Sequence, residues 1–194
     1  MTKTAEQEVA LNSETLDMLR EMCERNLAHH VAKGEKPVFG EGPSDSRIMI
    51  IGEAPGAKEA RTGRPFVGNA GRLLTTLLVE IGLERNEVYI TNILKTHPRG
   101  NRTPNRRMIL EQLPYLKRQI QMIAPGIMVL LGATALKGLI DPHARITRLR
   151  GTWLRFEGIP TLVTYHPAAV FHDDTKKELL RQDFQALRKE LDRR

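Results

Sequence analysis

The stretch "IMIIGEAPGAKEARTGRPFVGNAG", residues 48–71, decides how this chain is read. Ile48, Met49, Ile50 and Ile51 are apolar without interruption, as in a parallel strand buried on both faces. They run straight into Gly52-Glu53-Ala54-Pro55-Gly56, and a second glycine-rich stretch follows with one aromatic, Phe66. A turn at the carboxyl end of such a strand is where α/β proteins hold small ligands. It lacks the Lys-Ser/Thr of a phosphate-binding loop and the spacing of the dinucleotide fingerprint. Glu53 would also repel a phosphate, so a neutral ligand, or one that tolerates a carboxylate, fits better. Taken alone, the turn reads as structural, with Gly52 and Gly56 satisfying backbone geometry.

Outward from this stretch, strands alternate with helices. Leu16, Leu19, Cys23 and Leu27 recur at helical spacing, predicting an amphipathic helix over 13–32 capped by Ser13 or Asn12. Strands are expected at 47–52, 87–92 and 126–132, and in "TWLRFEG" and "TLVTYHP". Helices are expected at 68–81 with Leu73, Leu74, Leu77 and Leu78 inward, at 104–123, after 132 through Ile140, and at 175–191. The pattern predicts a three-layer α/β/α fold around a central, mainly parallel four-stranded sheet. It forms one domain over 13–194 behind a flexible N-terminus, 1–12.

The 194 residues suffice for one core, and no apolar run is long enough to cross a bilayer. The polar, acidic N-terminus is unlike a secretory signal, which places the chain in the cytoplasm. The lone Cys23 excludes an internal disulfide and cannot build a metal site by itself. The net charge of +7 is unevenly spread. Residues 1–45 hold five basic against nine acidic residues, whereas Lys95, Arg99, Arg102, Arg106 and Arg107 form an acid-free cluster. Arg145, Arg148, Arg150 and Arg155 form another. Two basic, loop-rich segments suit a polyanion, nucleic acid first, although a merely basic surface has the same composition.

Three strand ends carry capable groups: Gly52-Glu53, Thr91-Asn92 and Tyr165-His166-Pro167. The topology should bring them to one rim. Asn92 offers the donor and acceptor that read a base edge. His166 is aimed by the stiff corner before Pro167. Phe66 is either a core plug or a platform for a planar ring. Each has a bland role singly; together they describe a pocket for a planar heterocycle.

"GEAPG", "TGRPFVGNAG", "VYITNILK", "GNRTP" and "YHPAAV" stand in the order and spacing of the family 4 uracil-DNA glycosylases, which this chain resembles from about residue 15 to its end. The resemblance implies an enzyme that flips uracil out of DNA and hydrolyses its N-glycosidic bond, starting base-excision repair. It implies that Phe66 stacks on the base, that Asn92 pairs with N3 and O4, and that the loop of Gly52, Ala54 and Gly56 closes around base and sugar. His166 would donate to O2, and Glu53 would orient the attacking water or stabilise the cationic sugar. Arg99, Asn101 and Arg102 would contact the DNA backbone. Residues 168–171 would press into the groove, with Ala168 in the loop and Val170 or Phe171 as the wedge. Uracil-containing DNA is the expected partner of a monomer. Rival readings are a non-catalytic DNA-binding member and a glycosylase for hypoxanthine or xanthine.

Two departures from the family pattern stand out. Most members hold a [4Fe–4S] cluster through four cysteines, whose positions fall at Cys23, Asn26, Thr96 and Gln112; only Cys23 is a thiol. No cofactor, no iron–sulfur cluster and no metal are therefore expected. Ala60 stands where an acid is common. His97 lies in the ordinary short loop, and a nucleophilic role for it is not expected.

Overall fold

The computed structural model describes residues 15–193. The expected caps Asn12 and Ser13 and the N-terminal segment 1–12 lie outside these residues. Thr15 caps the first described helix, α1 (Leu16–Leu27), its hydroxyl accepting from the Met18 N–H at 3.2 Å. Leu19, Cys23 and Leu27 form its buried face and pack with Phe39, Tyr115 and Met122.

Four parallel strands make the sheet's centre: β1 (Ile48–Gly52), β2 (Tyr89–Asn92), β3 (Ile127–Leu131) and, later in the chain, β5 (Ile159–Thr164). A fifth strand, β4 (Trp153–Phe156), joins β5 antiparallel, giving the order β2-β1-β3-β5-β4. This strand, expected in "TWLRFEG", adds a fifth member to the four-stranded sheet expected from the sequence, and its pairing has a local cause. Glu157 and Gly158 both adopt positive φ, 48° and 85°, the geometry of a tight two-residue hairpin. Every residue of β1, β2 and β3 is buried; the apolar runs of β1 and β3 require it, and β2 buries the polar Thr91 and Asn92 as well.

The alternating strand faces feed two cores. Ile48, Ile50, Val129 and Leu131 meet α3 (Asn69–Glu80) and α6 (Thr175–Asp192) through Leu74, Leu77, Leu78, Leu180, Phe184 and Leu187. Leu73 packs at that core's edge, only partly buried. Met49, Ile51, Met128 and Leu130 meet α4 (Arg106–Ile123) and α5 (Ala133–Leu139) through Leu116, Ile120 and Leu139. Among the described residues no helix is long and apolar enough to cross a membrane.

Parallel register then sets the rim. Gly52 sits opposite Asn92 at the carboxyl ends of β1 and β2, and His166 follows β5 by two residues. The short helix α2 (Ala57–Thr62) springs from the glycine turn after β1.

Candidate active site

Close backbone approach builds the site floor. A Cβ placed on Gly52 would lie 2.4 Å from Asn92 Oδ1 and 2.5 Å from the Phe66 ring, so only glycine lets amide and ring close over the strand end. Phe66 itself has φ 50°, an uncommon conformation for a bulky residue. Arg85 holds it there, its guanidinium donating to the carbonyls of Pro65 at 2.5 Å and Phe66 at 3.2 Å. Gly71 completes the fit, since a Cβ there would fall 1.8 Å from the Phe66 carbonyl oxygen. The Phe66 and His166 rings stack with centroids 5.6 Å apart and planes at 29°.

Asn92 is 1 % exposed, and its Oδ1 is the one buried side-chain polar atom without a hydrogen-bond partner among the described residues. Such an acceptor costs free energy until a donor arrives, about 1–3 kcal/mol. Behind it lies a firm support. The Lys95 ammonium donates to the Asn92 carbonyl at 2.9 Å, to Thr91 Oγ1 at 2.6 Å and to Gln119 Oε1 at 2.6 Å. Full burial pushes Lys95 down to about 7. Lys95 therefore belongs to the interior rather than to the basic surface cluster, a place that charge counting could not reveal.

His166 Nδ1 accepts from the Ala168 N–H at 3.2 Å, which leaves the ring proton on Nε2. Burial pushes this imidazole down to about 4, opposed weakly by Glu59, so it is neutral at physiological pH. Glu53 is partly buried; the Thr134 hydroxyl, from α5, donates to its Oε2. Glu59 accepts from the N–H groups of Val67 and Gly68 at 3.0 and 2.9 Å, closing the second glycine-rich stretch. Thr134, Glu59 and Arg85 escaped the sequence reading because their partners lie 81, 8 or 9, and 19 or 20 residues away. Their one sequence signal was proximity of Glu59 to the glycine motif.

Glu53, Ala54, Gly56, Phe66, Asn92 and His166 line a single cavity of about 340 Å³. Gly52 lies beneath it, and Ala168, Asn101 and Arg102 reach its mouth. Arg99, Asn101 and Arg102 are exposed. His97 bridges Glu35, at 2.9 Å from Nδ1, and Asn101, at 2.8 Å from Nε2. Burial alone would lower His97, but these two hydrogen bonds outweigh it and hold the imidazole above its ordinary value. Both ring nitrogens are engaged, so His97 anchors the loop and presents no free nucleophile. Val170 is 6 % exposed within the core, whereas Phe171 is 56 % exposed, which separates the two candidate wedges.

A family model described as the uracil DNA glycosylase superfamily matches residues 39–191. The type-4 uracil-DNA glycosylase of Pyrobaculum aerophilum is 39 % identical over 183 residues, covering 90 % of each chain. That of Sulfurisphaera tokodaii is 42 % identical over 160 residues, 78 % of this chain and 73 % of its own. That of Thermotoga maritima is 46 % identical over 135 residues, 68 % and 69 % respectively. A parallel sheet covered on both faces with a pocket at its carboxyl rim defines an α/β ligand-binding class of fold, and the match over residues 39–191 shows that this chain belongs to the uracil-DNA glycosylase superfamily.

Membership corrects one expectation. Type-4 enzymes are iron–sulfur proteins, so likeness to several of them implies a cofactor where the cysteine count led to none being expected. The four aligned side chains have other partners here. Cys23 is fully buried, and burial pushes its thiol up to about 11. Asn26 Nδ2 donates to the Tyr115 hydroxyl at 3.1 Å. Gln112 Nε2 donates to Thr96 Oγ1 at 2.8 Å, while its Oε1 accepts from the Lys95 and Thr96 N–H groups at 2.7 and 3.2 Å. One thiol, two amides and a hydroxyl do not fit a four-thiolate cluster.

Proposed function

We infer that this chain is a uracil-DNA glycosylase, hydrolysing the N-glycosidic bond of uracil in DNA to leave an abasic site and start base-excision repair. The observation that carries the reading is the buried, unpartnered Asn92 Oδ1 beside a neutral His166 in one cavity. Uracil supplies the matching groups: its N3–H donates to Asn92 Oδ1, and its O4 accepts from Nδ2. Cytosine has a lone pair at N3 and an amine at position 4, so both bonds are lost.

The base leaves the stack, enters the cavity and lies on Phe66. As the C1′–N1 bond breaks, the electron pair moves onto the pyrimidine and charge accumulates at O2. His166 Nε2–H donates to that oxygen, strengthening as the charge grows; a neutral imidazole does this without transferring its proton. Water adds to C1′. The Glu53 carboxylate, anchored at Oε2 by Thr134, orients that water or stabilises the cationic sugar. Gly52, Ala54 and Gly56 wrap the base and sugar.

Arg99 and Arg102 take backbone phosphates, with Asn101 set beside them by His97. Phe171 fills the vacated stack, and Ala168 belongs to the same pressing segment; Val170 supports it from the core. All these roles come from one chain, which supports a monomeric enzyme. The test is incubation with a uracil-containing oligonucleotide followed by alkali. Scission at the uracil supports the reading; retention of DNA with no abasic site refutes it.

A further inference from the structure

Away from the base pocket, the 3₁₀ turn Ala28–His30 after α1 sets two imidazoles against α4. The His29 and His30 rings lie 4.0 Å apart at 39°, and His30 Nε2 is 2.8 Å from Glu111 Oε1. One ligand atom from each of His29, His30 and Glu111 lies within 4.8 Å of the other two. They line a second cavity, of about 530 Å³. Among the described residues His29 makes no hydrogen bond or ion pair; its one contact is the neighbouring ring.

We propose that His29, His30 and Glu111 form a binding site for a divalent transition-metal ion, Zn²⁺ foremost, tying the turn after α1 to α4. Metal–ligand bonds of about 2.0–2.2 Å place tetrahedral ligand atoms roughly 3.3 Å apart. His30 and Glu111 already stand closer than that, at 2.8 Å, the other separations are at most 4.8 Å, and His29 and Glu111 are exposed enough to adjust by rotamer alone. Two imidazoles and a carboxylate leave a fourth position for water. Imidazole ligands favour Zn²⁺ and its neighbours over Mg²⁺ and Ca²⁺, which need oxygen. Arg99, Arg102 and Arg107 line the same cavity and oppose every dication alike, so the preference among them rests on the imidazole ligands.

The site is structural and takes no part in base excision. The turn and α4 flank the Thr96–Gln112 hydrogen bond, at the root of the loop carrying Arg99 and Arg102. An ion bound here would stabilise the native chain by mass action.

The test uses the full chain stripped with chelator, then dialysed against Zn²⁺, with bound metal counted by atomic spectroscopy and thermal unfolding followed alongside. One equivalent of zinc and a raised Tm are expected, with no rise from Mg²⁺. The double variant His29→Ala, Glu111→Gln should lose at least tenfold in affinity while keeping its circular dichroism and its unfolding temperature without metal. Binding well below one equivalent in the natural chain would overturn the proposal. So would unchanged affinity in the double variant, which would place the zinc on other histidines.

Discussion

The backbone N–H of Ala168 donates to Nδ1 of His166 across 3.2 Å, and this bond decides which ring nitrogen carries the proton. The lone pair points at the chain's own corner and Nε2–H is left for a ligand. The corner comes from Pro167, so the sequence His-Pro-Ala-Ala sets both the direction and the tautomer of the imidazole.

With burial pushing His166 down to about 4, base excision should show no loss on passing from pH 8 through 6.5, where an ordinary histidine titrates. The sign for stability follows from the same displacement. The unfolded chain takes up the proton near pH 6.5 and the native chain only near 4, so stability is complete above 6.5 and falls between them. His166→Ala should slow single-turnover excision by about 10²–10³-fold, as for loss of one charge-stabilising donor. DNA affinity should stay within a factor of about three. Full rate in that variant would remove His166 from O2.

Asn92→Ala should erase discrimination between uracil and cytosine, worth about 1–3 kcal/mol for a bidentate contact. Because Asn92 Oδ1 has no partner in the free protein, the variant should be as stable as the parent or more so. Competition kinetics and a urea titration check the two halves separately. Preserved selectivity would mean another group reads the base.

Thr134→Val removes the hydroxyl that anchors Glu53 Oε2 while keeping the side chain's volume. The turnover rate should fall about tenfold with KM unchanged, and Thr134→Ser should restore it. A rise in KM alone would assign Thr134 to substrate binding instead.

The Glu35–His97 pair should give the chain a stability window. A hydrogen bond from His97 holds the Glu35 carboxyl below its usual range, so its contribution disappears as acid protonates it. His97 is held above the ordinary imidazole value, so its contribution disappears as pH rises through that raised value. Glu35→Gln should flatten the alkaline decline of the urea midpoint. It should also loosen the loop of Arg99 and Arg102, weakening DNA binding most at low salt. An unchanged pH profile would show the pair to be inert.

Much of this was legible in the residues. Continuous apolar runs marked the doubly buried strands, and Gly52, Asn92 and His166 could be placed on one rim from topology alone. The strand in "TWLRFEG" was legible too, but its place as a fifth, antiparallel member of the sheet was not, because that pairing depends on Glu157 taking positive φ, which few glutamates do. The choice of Phe171 over Val170 needed packing: adjacent apolar residues at a turn differ only in which one the core accepts. Lys95 was misplaced among surface cations because neither charge nor spacing reports a burial built from Thr91, Gln119 and a backbone carbonyl. The cofactor expectation failed differently, since the count of cysteines describes donors while the type-4 relatives speak for the class.

Everything proposed for the base pocket rests on Asn92, His166 and Glu53 acting together on an extruded uracil. Release of free base from an oligonucleotide carrying one isotopically labelled uracil tests it most directly, measured in a single turnover with enzyme in excess. Labelled uracil in solution and an abasic strand are expected in equal amounts, with no cytosine released from the matched control. DNA bound tightly to the natural chain with no free base would contradict it.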